Sequence, residues 1–175
     1  VDYWDYIGWS DSFARPEHTA RQKGYAHAAG LRSLYTPQMV VGGVDHVIGC
    51  KPMALAAAIA AHHGNAPRML LSGRVNGDRA HLTAEPIIGK ALPRRMEALL
   101  VRFIPRAEVQ ITRGENAGRR LHYANVVTAI ETLGHWDGQA RWVLDVVIEG
   151  DGSAAVLMQG VEDGPGPILA AIRLR

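Results

Sequence analysis

The chain has 175 residues, 47% hydrophobic and 21% charged, a composition typical of a globular protein with a buried core. The net charge of +2 is too balanced to indicate a nucleic-acid-binding protein, and the longest apolar run, residues 53–61, is far shorter than the ~20 residues of a membrane-spanning helix. The single cysteine excludes an intrachain disulfide, a Cys-x-x-Cys pair and a multi-cysteine zinc site within these residues.

The first part of the chain predicts helices alternating with short strands. The aromatic and acidic opening "VDYWDYIGWSD" is read as the end of a strand that runs into a loop. A helix is predicted from Pro16, which suits a first helical turn, to Gly30, which suits a left-handed stop. The runs "PQMVV" and "VDHVI" around two glycines predict a hairpin with a primed turn, and an Ala-rich helix follows from Pro52 to about His63.

After about Ala66 the helical period disappears and strands are predicted to the end of the chain. Asn76-Gly77-Asp78 is a strong hairpin turn between two of them. The runs "EALLVRFIP" and "AEVQITR" predict two strands broken at Pro105, and the β-branched content of "LHYANVVTAIETLGHW" favours a strand over a helix. Several short strands at regular spacing indicate a sandwich or a partial barrel.

The order of helix, Thr-Pro, hairpin and helix is that of the C-terminal half of a thioredoxin fold. The blocks "VDYWDYIGW", "FARPEHTARQKGYAHAAGL" and "YTPQMVV" resemble the core of a family of bacterial secreted thioredoxin-like proteins of unknown function. The blocks "GENAGRRLHYANVV", "LGHWDG" and "GPILAAIRL" resemble the C-terminal region of that family. The resemblance therefore covers nearly the whole chain.

This resemblance implies an α+β fold, with a truncated thioredoxin-like α/β unit at residues 1–66 and an antiparallel β-sandwich-like domain at residues 67–175. Members of the family carry a signal peptide, a first strand and a Cys-Ser-Ser-Cys-Pro-Pro segment ahead of the region that begins here with Val1. We therefore expect a fragment of a longer protein, or a protein that has lost this segment. By resemblance, the redox cysteine pair lies upstream of Val1 and the protein is periplasmic or secreted.

The resemblance also gives Thr36 and Pro37 roles. Pro37 corresponds to the cis proline that faces the redox pair in thioredoxin-like proteins, and Thr36 to the residue whose backbone pairs with an extended peptide. Taken alone, the dipeptide is more typical of a trans proline that begins an edge strand, because only ~5% of X-Pro bonds in folded proteins are cis. The surrounding block shifts the expectation to a cis bond.

Cys50 stands just ahead of Pro52, near the predicted start of the second helix. A helix N-terminus and the neighbouring Lys51 would lower the pKa of a thiol, which makes Cys50 a candidate reactive thiol. The competing interpretation, which we favour, is a small polar residue that caps the helix. We also expect this position to lie away from the proline face.

The aromatic opening supplies further candidates. Tyr3 and Trp4 could form a peptide-binding wall, since aromatic rings give large contact areas at low entropic cost, and Asp5 or Asp2 could serve as a buried proton carrier. Core packing and loop capping are the competing interpretation of these residues. The eight histidines show no zinc-ligand spacing, so we predict no metal and no cofactor.

Two functional hypotheses follow. The first is an exported thioredoxin-like protein with a thiol-disulfide redox or peptide-binding role in its full-length form. The second is a non-catalytic binding or assembly module on a thioredoxin-like scaffold. Because these residues lack a redox cysteine pair, we expect no catalysis by them alone. A protein or peptide partner fits both hypotheses, whereas nucleic acid and a transmembrane segment fit neither, and the oligomeric state is left open.

Overall fold

The computed structural model of the chain describes residues 1–4, 11–113, 117–150 and 152–175. In these ranges the chain forms a mixed α+β structure with two helices, α1 (Pro16–Ala28) and α2 (Pro52–His63), and three antiparallel sheets. The strands are β1 (Gln38–Val41), β2 (Asp45–Ile48), β3 (Met69–Asn76), β4 (Arg79–Pro86), β5 (Met96–Gln110), β6 (Arg120–Trp136), β7 (Trp142–Val147), β8 (Ser153–Gly160) and β9 (Ile168–Arg173). The predicted α+β class is confirmed, and the boundary between residues 66 and 67 stays a prediction.

Both predicted helices are confirmed, and local sequence explains where they begin and end. A proline occupies the first turn of each, where the missing N–H costs no hydrogen bond. Glu17 in the first turn of α1 suits the positive end of the helix dipole. Gly30, at a φ of 63°, turns the chain out of α1.

The first sheet is the two-stranded hairpin β1-β2. The predicted hairpin is confirmed, but the prediction of a two-residue turn is wrong. The register pairs Val41 with Asp45, so Gly42, Gly43 and Val44 form a three-residue loop. Both glycines have positive φ, which explains why the turn needs them.

The other two sheets have the strand orders β3-β4-β7 and β6-β5-β8-β9. They share a core in which Leu82 of β4 packs with Leu100 of β5 and Val156 of β8. A neighbouring cluster contains three buried methionines, Met69, Met96 and Met158. The predicted series of antiparallel strands is therefore confirmed over the second part of the chain.

Pro105 does not break the chain into two strands, as the sequence predicted. β5 continues through it and pairs with β6 on both sides of Pro105, from Met96 to Gln110, with register shifts after Ala98 and Arg102. On its other side β5 pairs with β8 only as far as Phe103. Pro105 therefore lies beyond the end of β8, where a missing backbone N–H costs no ladder hydrogen bond on that edge.

Helix α2 is apolar but uncovered. It contains no buried residue, and Met53 and Ile59 are 81% and 51% exposed. Leu55, Ala58 and His62 are partly covered, and helix periodicity places them on the side that meets the hairpin. A helix that is apolar on all sides is ordinarily buried. Among the described residues, no helix combines the length and the apolarity that crossing a membrane requires.

One buried side chain joins α1 to the larger sheet. Gln159 of β8 is 0% exposed, and its amide nitrogen donates to Tyr25 Oη at 2.8 Å and to the Gly166 carbonyl at 2.7 Å. Its amide oxygen accepts from Arg21 Nη2 at 2.5 Å. The amide is thus fully bonded to α1 and to the β8–β9 loop, as a buried polar group must be.

The hairpin tip rests on the same loop. The Ile168 amide donates to the Gly42 carbonyl at 2.8 Å. A Cβ placed on Gly43 would lie 2.1 Å from the Gly166 carbonyl oxygen, so only glycine allows this approach. The α/β and β parts are therefore in direct backbone contact.

We predict that Gly43→Ala destabilises the protein much more than Gly30→Ala. Both glycines have positive φ, but nothing lies within 4 Å of a Cβ on Gly30. Gly30→Ala should lower the free energy of unfolding by about 1 kcal/mol from backbone strain alone. Gly43→Ala adds a backbone clash, for a total of about 3 kcal/mol or more. Urea denaturation measures both values, and equal losses would contradict the close packing of the tip.

Candidate functional site

The Thr36–Pro37 peptide bond is cis, which confirms the expectation for this bond. Both residues are exposed and lie immediately before β1. The Gly49 amide donates to the Pro37 carbonyl at 2.8 Å, and a Cβ on Gly49 would lie 2.9 Å from the proline ring. The residue that follows β2, at the end of the hairpin opposite its turn, therefore packs directly on the proline.

The structure brings Trp4 to Thr36. The indole Nε1 donates to Thr36 Oγ1 at 2.9 Å, while the Trp4 residue remains 45% exposed. The rings of Tyr3 and Trp4 are 5.9 Å apart and tilted, a favourable aromatic arrangement. Three of the predicted binding residues thus form one exposed cluster with Pro37. Asp5 lies outside the described residues.

The backbone at Thr36 is also open. Among the described residues, its amide and carbonyl form no hydrogen bond, and β1 has no strand other than β2 beside it. The Gly49–Pro37 bond sets the alternation of the ladder, because hydrogen-bonding groups in an antiparallel pair face the partner at every second residue. The backbone groups of Thr36, Gln38 and Val40 therefore face away from β2, along one open edge.

A chain of hydrogen bonds runs from Tyr3 of this cluster through two glutamines to a histidine of the hairpin. Tyr3 Oη donates to Gln22 Oε1 at 2.8 Å. Gln22 Nε2 donates to the Tyr35 carbonyl at 3.0 Å and to Gln38 Oε1 at 2.9 Å. Gln38 Nε2 lies 2.9 Å from His46 Nδ1.

The direction of this chain follows from one atom. The Tyr35 carbonyl can only accept, so Gln22 must present its amide nitrogen there and its oxygen to Tyr3. The same reasoning places the Gln38 nitrogen at His46 Nδ1, which then accepts. In the neutral ring the proton of His46 is therefore on Nε2.

Sequence reasoning missed Gln22, Gln38 and His46. A glutamine in an exposed-looking helix carries no local signal of a tertiary partner. Only the register that pairs Val40 with His46 across the hairpin brings His46 close to Gln38.

A short polar contact fixes the N-terminal segment on α1. Thr19 is only 6% exposed, and its hydroxyl donates to Asp2 Oδ1 at 2.6 Å. This bond lowers the pKa of Asp2, since it favours the charged carboxylate. Asp2 thus anchors the N-terminal segment on α1, and its role as a proton carrier stays a prediction.

Cys50 is exposed and does not cap α2. The N-cap residue is Lys51, which makes no side-chain capping hydrogen bond, so the favoured capping role is wrong. Cys50 directly follows Gly49, whose amide donates to the Pro37 carbonyl, and the expectation that it lies away from the proline face stays a prediction. Cys50 lies in the tight β2–α2 turn, which the Lys51 amide closes by donating to the Ile48 carbonyl at 3.0 Å.

Several histidines pair with acids. His62 lies 2.7 Å from Asp45 and His81 lies 2.9 Å from Asp145, all with partly exposed side chains. Within the described ranges, no group of three or more His, Cys, Asp or Glu residues could hold a metal ion.

The cluster at Thr36 offers aromatic surface and backbone hydrogen-bonding groups, which suit the binding of an extended chain.

Two comparisons place the chain among known proteins. The model of a family described as "Protein of unknown function (DUF1223)" matches residues 1–159. A crystal structure of a protein from Agrobacterium tumefaciens superposes with a TM-score of 0.81 at 28% identity, over 99% of this chain and 77% of that one. No curated protein matches. Neither match refers to a thioredoxin-like fold, thiol chemistry or export, so these stay predictions.

We predict that Gln22→Leu lowers the free energy of unfolding by roughly 1–3 kcal/mol, because a half-buried amide loses its three hydrogen bonds. The adjacent Lys23, exposed on the same helix, provides the control Lys23→Leu, which we expect to change stability by less than about 0.5 kcal/mol. Thermal and urea denaturation measure both variants. Equal stability of the two would contradict the supporting role of Gln22.

Proposed function

This chain belongs to the DUF1223 family of proteins of unknown function, and we propose that it binds an extended peptide along the open edge of β1 at Thr36. The observation that carries the proposal is the row of outward-facing backbone groups on Thr36, Gln38 and Val40. A strand edge with free N–H and C=O groups is a template for an added strand, which supplies main-chain hydrogen bonds as affinity.

Aromatic side chains at one end of the edge support the same proposal. Trp4 and Tyr3 lie beside Thr36, where a peptide paired with Thr36 would pass their rings. Trp4 is held by its bond to Thr36 Oγ1, and Tyr3 by its bond to Gln22. Rings fixed before binding lose less conformational entropy when a peptide packs on them.

We also propose that residues 1–66 are part of a thioredoxin-like unit. The order of α1, hairpin and α2 supports this, with Pro37 at the entrance of the hairpin. Thiol-disulfide exchange between two cysteines of the protein would need a second thiol, since Cys50 is the only cysteine in the sequence. The proposed redox role and the proposed periplasmic or secreted location therefore concern a full-length form with a cysteine pair outside these residues.

The alternative is a non-catalytic assembly module, and α2 favours it. Its outer side carries Met53 and Ile59 in solvent, and its other side packs on the hairpin whose β1 edge is open. An apolar helix beside an unpaired strand suits a partner that covers both. In this case the strand edge would contribute to a larger protein interface.

A selected peptide tests the edge. We would select a peptide from a phage-displayed random dodecapeptide library on the immobilised chain, synthesise it and measure its Kd by fluorescence anisotropy. Val40→Pro removes one outward N–H, and we expect it to weaken binding about tenfold. Val40→Thr keeps the N–H in a similar volume and should bind like the wild type.

Methylation of the peptide backbone makes the test independent of the protein variants. Two peptides would be made, one N-methylated at its odd-numbered residues and one at its even-numbered residues. Because strand pairing uses the amides of alternate residues, one of the two should lose binding and the other should bind like the unmodified peptide. Equal Kd values for Val40→Pro and Val40→Thr, or equal effects of the two methylation patterns, would refute edge binding. So would a failure to enrich any peptide.

Cys50 separates binding from thiol catalysis. We predict no turnover in a dithiothreitol-driven insulin reduction assay, because a lone thiol cannot release a mixed disulfide by forming an internal bond. Cys50→Ser should match the wild type. Substantial reduction that survives Cys50→Ser would contradict the assembly alternative for this chain and require another mechanism.

A further inference from the structure

A concavity lined by both parts of the chain lies at the hairpin tip, away from Thr36. Its volume is about 500 Å³, which suits a small molecule. Its walls come from the end of α1, the hairpin, the segment before β3, the β4–β5 connection and the β8–β9 loop. Tyr25, Val44, Leu92 and Pro165 give it an apolar lining.

Charges of both signs line this cavity without neutralising one another. Arg68 comes from the segment before β3, and Glu162 and Asp163 come from the β8–β9 loop. Over the described part of the chain, none of the three takes part in an ion pair. Arg68 Nη1 donates to the Ala91 carbonyl at 3.3 Å, and Glu162 Oε1 accepts from the Arg94 amide at 3.1 Å. Each therefore keeps hydrogen-bonding capacity for a ligand.

His46 adds a directed donor. Its ring lines the cavity, and Nδ1 accepts from Gln38, so Nε2 carries the ring proton in the neutral form. Among the described residues, Nε2 has no hydrogen-bond partner. A carboxylate is the ligand group that would accept from both His46 and Arg68.

The C-terminal end of α1 favours a positively charged ligand group. Ala28 and Ala29 stand at its C-terminus and line the cavity together with Asp163. The C-terminal end of a helix carries a partial negative charge, which adds to the attraction of the two carboxylates for a cation. The cavity thus has one set of groups for an anion and another for a cation.

We propose that this cavity binds a small zwitterion with an apolar body, of the class of amino acids and dipeptides. The carboxylate of the ligand is held by Arg68 and His46, and its ammonium group by Asp163 and Glu162. The apolar lining covers the side chains. This site is separate from the open edge of β1, so its test is independent of edge binding.

Three matched ligands test the pairing of charges. The probes are leucyl-alanine, its N-acetyl form and its C-terminal amide, titrated by calorimetry into the 175-residue chain. We expect the free dipeptide to bind with a Kd of about 1 mM or tighter, and each blocked form to bind about tenfold more weakly. Shifts of the Gly160 and Gly166 amide signals in NMR spectra would locate the ligand in the cavity.

Two charge variants with matched controls complete the test. Asp163→Asn should weaken the free dipeptide about tenfold but leave the N-acetyl form unchanged. Arg68→Gln should weaken the free dipeptide while leaving the C-terminal amide unchanged. Asp145→Asn and Arg74→Gln, on exposed positions of β7 and β3, should leave all three unchanged. No binding at about 10 mM, equal affinities for the three ligands, or equal effects of site and control variants would overturn the proposal.

Discussion

The architecture depends on one buried amide. Gln159 of β8 is fully removed from solvent, and its three hydrogen bonds join β8 to α1 and to the β8–β9 loop. A buried amide without hydrogen-bond partners would destabilise the fold. The bonds that join Tyr25 and Arg21 to Gln159 therefore favour one position of α1 on the sheet. The hairpin tip then rests on the same loop through Gly43 and Gly166.

This arrangement leaves one edge of the hairpin without a neighbouring strand in the described structure. Its tip is held by the β8–β9 loop and α2 packs on it, but the outer edge of β1 has no strand partner in the described structure. Exposed edges are ordinarily protected in stable proteins. The uncovered edge and the apolar outer side of α2 are the surfaces that the two proposed functions would use.

The two proposed sites lie at opposite ends of the same hairpin. Thr36 and Pro37 stand at its entrance, and His46 is bonded through Gln38 and Gln22 to Tyr3 at that entrance. A four-residue strand is about 13 Å long, so the hydrogen-bond chain spans most of the element. Because the donor direction is set by the Tyr35 carbonyl, the tautomer of His46 at one site depends on side chains of the other.

The sequence by itself determined the local elements. Proline and glycine bounded both helices, paired glycines indicated the hairpin, and β-branched residues identified β6, because backbone conformation depends mainly on near neighbours in the chain. The predicted cluster of Tyr3, Trp4, Thr36 and Pro37 also came from sequence, through family resemblance.

The tertiary structure decided what local signals could not. It let β5 continue through Pro105, since β8 ends before that residue. It placed Lys51 rather than Cys50 at the N-cap of α2, and it brought Gln22, Gln38 and His46 into one chain of hydrogen bonds. It also gathered Arg68, His46, Glu162 and Asp163 around one cavity. These outcomes depend on sheet register and on contacts between residues far apart in sequence, which no local pattern encodes.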